Sequence, residues 1–292
     1  MHLVTFKQEG EWQLGALVGS AVAPLEVASP PLLSPMRALL TAGTDGLARA
    51  RDQAERRFAS GDGVVQLNEL SLGPPLPDPD KILCLGFNYK AHVTEMVTET
   101  PVTPNIFAKF RNGLIGSGDK IVLPRASTEI DYEGELAAII GQQCRDVSVS
   151  EALNFVAGYT ALNDVTARDL QFRTSQWTLG KAIDSFCPMG PALALAEEIP
   201  DPQALELTTR LNGEIVQQTS CAAMVFSVAE TVAAISSVIT LEPGDVISTG
   251  TPEGVGWKHD PPRFLLAGDV IEVEISGIGT LRNEVVTGER KG

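Results

Sequence analysis

Carboxylates alternate through residues 129–141, where the chain reads Glu129-Ile130-Asp131-Tyr132-Glu133-Gly134-Glu135-Leu136-Ala137-Ala138-Ile139-Ile140-Gly141. Strand side chains point to opposite faces in turn, so a strand here puts Asp131, Glu133 and Glu135 on one face with Ala137 and Ile139. Carboxylates at i and i+2 stand about 7 Å apart at their Cα atoms, near enough for their oxygens to converge. The strand continues into the apolar run 136–140, which predicts burial. Paired buried anions are costly unless something positive lies between them. A hard divalent cation with oxygen ligands meets that need, and a solvated acidic edge strand is the alternative. Asn163-Asp164, ending the strand-like run 158–162, offers a third acid or merely a helix cap for a helix starting at Thr166-Ala167-Arg168-Asp169. Histidine occurs only at His2, His92 and His259, which excludes a histidine-rich metal cluster.

Three further segments carry usable chemistry. In Gly86-Phe87-Asn88-Tyr89-Lys90-Ala91-His92-Val93-Thr94-Glu95, one helical turn brings His92 and Glu95 together. That is a general-base pair if it faces a pocket and a surface ion pair if it does not. Gly180-Lys181-Ala182-Ile183-Asp184 sets a cation beside an acid. The Gly-rich stretch 248–256, Ser-Thr-Gly-Thr-Pro-Glu-Gly-Val-Gly, offers hydroxyls and bare N–H groups suited to holding a carboxylate.

The elements that must position these groups are mostly strands. Gly118-Asp119, Gly244-Asp245 and Gly268-Asp269 each precede a strand-like run, the pattern of a turn launching a strand. Asn212-Gly213 predicts a two-residue hairpin. Ser148 with Glu151, and Ser227 with Glu230, have capping-box spacing ahead of apolar runs. Four prolines in 72–80 mark a linker, so the expected organisation is a small N-terminal α/β domain over 1–72, a Pro-rich linker over 73–80 and a main domain over 81–292. The N-terminal unit is expected to hold strands over 3–6 and 13–18 and a helix over 47–58. No phosphate loop, Gly-x-Gly-x-x-Gly or regular βαβ alternation is present, which disfavours a nucleotide-binding sheet.

Composition narrows the partners. The 292 residues are 43% hydrophobic and 20% charged with a formal net charge of −15, a mixture typical of a folded soluble chain. That acidity counts against nucleic acid and anionic membrane as partners. No apolar run is long enough to span a bilayer, and the first residues lack a signal-peptide pattern, so a cytoplasmic location is expected. Cys84, Cys144, Cys187 and Cys221 have no zinc or redox spacing and read as buried thiols.

Taken together the segments resemble the fumarylacetoacetate hydrolase family over about 81–284. The resemblance rests on Gly-x-Asn-Tyr-x-x-His-x-x-Glu at 86–95, Asp-Tyr-Glu-x-Glu-Leu-Ala at 131–137, Asn-Asp-x-Thr-Ala-Arg-Asp-Leu-Gln at 163–171, Gly-Lys-x-x-Asp-x-Phe-x-Pro-x-Gly-Pro at 180–191 and Thr-Gly-Thr-Pro-x-Gly-Val-Gly at 249–256. It implies an α+β, mostly β fold, with rolled mixed sheets around a central metal site, and a homodimer. Asn88-Tyr89 stands where the larger animal enzyme carries an additional acid, which places the chain with the three-carboxylate, acylpyruvase-like branch.

By that resemblance Glu133, Glu135 and Asp164 would ligate Mg²⁺ or Mn²⁺, with Ca²⁺ able to take their place in a crystal. His92, oriented by Glu95, would activate water under a lid running on through 96–103. Lys181, positioned by Asp184, would stabilise charge on a substrate oxygen. Gly250 and Thr251 would hold a substrate carboxylate or carbonyl, with Tyr89, Arg168 and Gln171 lining the pocket. The expected activity is hydrolytic C–C cleavage of a 2,4-diketo acid to pyruvate, or a related 2-keto acid, plus a carboxylic acid. Oxaloacetate decarboxylation or keto–enol isomerisation on the same site is the alternative. A cation that only braces a non-catalytic binding protein is the reading from another class.

Overall fold

The computed structural model describes residues 1–28, 30, 32–96 and 99–288. The chain opens with three antiparallel strands, β1 (His2–Gln8), β2 (Glu11–Val18) and β3 (Ala21–Leu25). Helices α1 (Pro35–Thr41) and α2 (Gly43–Ser60) follow, and the short β4 (Val65–Gln66) returns to β3. The helix expected over 47–58 lies inside α2, which ends at Gly61 in the left-handed conformation that suits glycine.

The 1–72 region does not close on its own core. β1 pairs with β13 (Cys187–Leu195), His2 opposite Ala194, so the N-terminal strands extend the main sheet. Leu39, Leu40, Ala50 and Ala54 of the two helices share one core with Ala137 and Ile139. Four short strands and two helices have too little apolar surface to stand alone, and the sheet edge supplies the rest. Residues 73–76 of the Pro-rich segment are buried, with the Thr5 hydroxyl donating to the Pro75 carbonyl at 2.7 Å, so this stretch is a fixed strap rather than a flexible linker.

The main sheet continues through β5 (Ile82–Gly86), β6 (Asn105–Lys109), β7 (Leu114–Ile115), β10 (Gly134–Ile140), β11 (Val156–Asn163) and β16 (Val246–Ser248). Its strand order is β4-β3-β2-β1-β13-β11-β10-β16-β5-β6, with β7 beside β13. A second sheet, in the order β15-β14-β17-β18-β8, is built from β8 (Lys120–Leu123), β14 (Glu206–Leu211), β15 (Glu214–Ser220), β17 (Val270–Ile275) and β18 (Gly279–Thr287). β9 (Ile130–Asp131) and β12 (Thr166–Ala167) form a small ladder. Every residue of β10 is buried: Leu136, Ala138 and Ile140 enter one core, Ala137 and Ile139 another. A strand covered on both faces reads as a continuous apolar run, as 136–140 does. The mostly β, mixed architecture expected from the sequence is the one formed.

The punctuation behaves as its chemistry dictates. Gly118, Gly244 and Gly268 all take positive φ, and Asp119, Asp245 and Asp269 each accept a hydrogen bond from the backbone N–H three residues earlier. Asn212 (φ 54°) and Gly213 (φ 84°) make the tight hairpin between β14 and β15. Ser227 and Glu230 form the reciprocal cap of α6 (Val228–Ser236). At Ser148 only a 3-10 turn forms, over Ala152–Phe155, because β11 begins at Val156 and leaves no room for more. The helix expected at Thr166 also starts later. Thr166 and Ala167 are held in the ladder opposite Asp131 and Ile130, and α4 is the single turn Arg168–Gln171.

Candidate active site

The loop after β9 and the start of β10 carry Glu133 and Glu135, and the end of β11 delivers Asp164. Gly134 pairs with Asn163 in the β10–β11 ladder, the Asp164 N–H donates to the Glu133 carbonyl at 2.9 Å, and the Asn163 amide oxygen accepts from the Glu133 N–H at 3.0 Å. The register therefore sets Glu133 against Asp164. One ligand oxygen from each of Glu133, Glu135 and Asp164 lies within 4.8 Å of the others, and all three residues are buried. Asp131 does not join them. The chain breaks pleat at Tyr132–Glu133, and Asp131 instead accepts from the Gly256 and Trp257 N–H groups and from Arg168 Nε at 2.9 Å.

Three buried cations neutralise most of this charge. Lys181 Nζ donates to Glu133 (2.7 Å) and Asp164 (2.6 Å), and Lys109 Nζ to the other Asp164 oxygen at 2.6 Å. Arg168 spans Asp131 and Glu133, at 2.8 and 2.7 Å. Burial works against ionising Glu133, but Lys181 and Arg168 outweigh it and hold its carboxyl down at about 2. Glu135 is different. Burial, then Asp164 and Glu133, push its carboxyl well above the usual range. Its Oε2 accepts from Ser248 Oγ (2.5 Å) and the Gly250 N–H (2.8 Å), while its buried Oε1 has no partner. A buried carboxylate oxygen without a donor is expensive. An orphan oxygen among three converging carboxylates, all hard donors, fits Mg²⁺ or Mn²⁺.

His92 and Glu95 sit on α3 (Lys90–Glu95), with His92 Nδ1 and Glu95 Oε2 at 3.0 Å. Glu95 is fixed in turn by the Gly254 N–H at 3.0 Å. His92 lines the same cleft as Glu133, Arg168, Gln171, Lys181 and Thr251, and Phe87, Phe107, Phe172 and Trp177 form the apolar side. The Asn88 side chain locks the approach to α3, donating to the Thr249 and Phe226 carbonyls and accepting from the Phe226 N–H. Gly250 permits this approach: it takes φ 92°, and a Cβ there would lie 2.8 Å from that of Asn88. Of the lid expected over 96–103, residues 97 and 98 lie outside the described residues.

Four expected roles are corrected. Tyr89 does not line the cleft; it is wholly buried in the core, its hydroxyl 3.7 Å from Cys221 Sγ. Tyr89→Phe is accordingly expected to leave kcat and KM unchanged and to cost at most about 1 kcal/mol of stability in a urea melt; a large rise in KM would return Tyr89 to the substrate. Asp184 does not position Lys181. The turn α5 (Thr178–Lys181) ends at Lys181, so no helix carries Asp184 back to it, and Asp184 is exposed and bound to Asn112 Nδ2 at 2.7 Å. The Gly250 N–H serves Glu135 rather than a substrate. The Thr251 hydroxyl donates to the Gly134 carbonyl and accepts from Gln217 Nε2, so it too is engaged within the protein.

Lys109 and Gln217 were not legible as site residues. Lys109 follows Phe107 at strand spacing, so the two share a face, and that apolar neighbour is the only sequence sign of burial. Gln217 ties Gly134 to Thr251 and Pro252 from another sheet, a contact that no local pattern reports.

Comparison with known proteins shows the family. Residues 81–286 match the family profile described as fumarylacetoacetate (FAA) hydrolase C-terminal, and the chain belongs to the fumarylacetoacetate hydrolase family. It is 38% identical over 291 residues to the mitochondrial oxaloacetate tautomerase Fahd2a of Rattus norvegicus, covering 98% of this chain and 92% of that one. It is 40% identical over 270 residues to the mitochondrial oxaloacetate tautomerase FAHD2A of Homo sapiens, covering 92% and 85%. Among solved structures it is similar to maleylpyruvate hydrolase from Sphingobium sp. SYK-6 in complex with manganese(II) and pyruvate, with 32% identity, a TM-score of 0.81 and coverage of 99% and 100%. The 5-carboxymethyl-2-hydroxymuconate delta-isomerase of Mycobacterium smegmatis gives 32% identity, a TM-score of 0.77 and the same coverage. The protein is thus a family enzyme whose relatives include tautomerases, isomerases and hydrolases.

Proposed function

We propose that this enzyme interconverts the keto and enol forms of a small 2-keto dicarboxylic acid of the oxaloacetate type. The reaction moves a proton between C3 and the C2 oxygen and consumes no water. The observation that carries the reading is that His92, hydrogen-bonded to Glu95, lines the same cleft as Glu133 of the carboxylate cluster. The tautomerase relatives, at 38–40% identity over nearly the whole chain, favour proton transfer over the hydrolysis first expected of that pair.

Glu133, Glu135 and Asp164 would hold a divalent cation, which supplies Lewis-acid polarisation of the 2-keto acid when bound. With its Nδ1 proton directed at Glu95, His92 keeps a lone pair on Nε2 and can take a proton from C3. Glu95, anchored to Gly254, fixes the ring and stabilises the imidazolium that results. Lys181 and Arg168 line the cleft where enolate charge develops, and hydrogen bonds to two carboxylates occupy two of the three Lys181 donors. Phe87, Phe107, Phe172 and Trp177 give the substrate an apolar wall on one side of the cleft.

Acylpyruvate hydrolysis is the second reading, supported by the maleylpyruvate hydrolase neighbour with its pyruvate and manganese. The test is to follow the enol absorbance of freshly dissolved oxaloacetate with Mg²⁺ or Mn²⁺, beside a set of acylpyruvates. Faster enol–keto equilibration with no pyruvate released is expected. Pyruvate plus a carboxylic acid from an acylpyruvate, with the oxaloacetate equilibration left at its buffer rate, would replace tautomerisation by hydrolysis.

A further inference from the structure

One wall of the cleft is a train of rings that joins the two ends of the site. Trp177 meets Phe107 edge-on with centroids 5.3 Å apart and Phe87 edge-on at 5.6 Å, and Phe87 stacks on the His92 imidazole at 6.2 Å and 23°. Phe87 takes φ 61°, a left-handed conformation uncommon for a bulky residue and therefore one its surroundings must enforce. Its flanks are fixed by the Asn88 amide and by Tyr89 in the core. Trp177 stands directly over Gly86, where a Cβ would lie 2.7 Å from the indole, so glycine at 86 leaves the space the ring occupies. The Trp177 carbonyl accepts from the Gly180 and Lys181 N–H groups, which places the indole in the same turn as Lys181.

We propose that Trp177 is a positioning residue for His92, acting through Phe87. It holds the Phe87 ring against the imidazole, while the Glu95 hydrogen bond fixes only the Nδ1 edge. The two constraints together set where Nε2 points. Among the described residues the Trp177 indole makes no hydrogen bond to the carboxylate cluster or to Glu95, and its backbone bond to the Lys181 N–H survives a change of side chain, so a substitution of the ring is expected to leave cation binding in place.

The effect on rate rests on the tautomerase reading; the effect on His92 does not. The protein has only three histidines, so imidazole ¹H–¹⁵N or ¹H–¹³C spectra resolve His92 cleanly, assigned by its loss in His92→Gln. In Trp177→Ala, the His92 ring signals are expected to lose the ring-current shift from Phe87, with His2, His259 and Mn²⁺ affinity unchanged. Tautomerase kcat is expected to fall about 100-fold with KM held within about threefold, the cost of a base misplaced by about 1 Å. Trp177→Phe keeps an edge contact and should retain both signal and rate. Gly86→Ala, which displaces the intact indole, should move the His92 signals as Trp177→Ala does. Unchanged His92 signals in both Trp177→Ala and Gly86→Ala would overturn the proposal, as would loss of Mn²⁺ binding together with rate. A wild-type enzyme inactive on oxaloacetate whose His92 signals still move in Trp177→Ala would sink the tautomerase reading and sustain the positioning role.

Discussion

Glu135→Ala is expected to lose divalent-cation binding and catalysis together, with cation affinity falling by more than about 100-fold, since residues that only orient metal ligands already contribute about 10- to 100-fold. The reason lies in the charge pattern. Lys181, Lys109 and Arg168 serve Glu133, Asp164 and Asp131, and Glu135 alone has no cation of its own and an orphan oxygen. Removing it takes a buried acid with an unpartnered oxygen out of the ion-free fold but leaves the Ser248 hydroxyl and the Gly250 N–H without their acceptor, so the ion-free Tm should fall modestly. The rise in Tm that Mn²⁺ gives the wild type should vanish. The sign of the pH dependence follows as well. Burial and the neighbouring carboxylates raise the Glu135 carboxyl, so a cation must displace a proton there, and affinity should increase with pH. Calorimetry in two buffers of different ionisation enthalpy reads both the affinity and the released proton. Full turnover by Glu135→Ala with no bound cation would end the metal assignment.

His92→Gln is expected to bind Mn²⁺ like the wild type and to lose about 10²- to 10⁴-fold in kcat, the range for removing a positioned general base. His92 makes no hydrogen bond to the carboxylate cluster; its bond is to Glu95, and Glu95 reaches the 248–256 loop through the Gly254 N–H. Glu95→Gln should lose less, since the imidazole stays in place and only the stabilisation of its charged form weakens. Steady-state rates and Mn²⁺ titrations on the same preparations separate the two effects. A wild-type rate in His92→Gln would mean that another group moves the proton.

Much of this site was legible because its signals are local. Glu133 and Glu135 two apart ahead of an apolar run, and His92 and Glu95 three apart on a turn, are brought together by strand and helix periods, while their roles as ligands and base pair came from the family resemblance. Asp131 shows where the period misleads. It alternates with the other two acids in sequence, but the break before Glu133 turns it toward Gly256, Trp257 and Arg168. Lys109 and Trp177 were missed for a different reason. A lysine between Ala108 and Phe110, and an indole in the polar stretch 173–178, look solvated until β6 and α5 are brought against the cluster by strands far away in sequence. Asp184 looked like the partner of Lys181 because the two lie close in sequence and the family resemblance pairs them, but α5 ends at Lys181 and Asp184 bonds Asn112 instead. The N-terminal region was read as separate because composition marks the Pro-rich segment and nothing local shows that β1 pairs with β13.

The most direct test of the central claim is one proton NMR experiment on the Mn²⁺-free, Mg²⁺-loaded enzyme with oxaloacetate in D₂O. Tautomerisation through a C3 carbanion predicts loss of the C3 proton signal well above the buffer rate, with no growth of a pyruvate methyl signal. Pyruvate forming in step with substrate loss, or C3 protons exchanging no faster than in buffer, would contradict it.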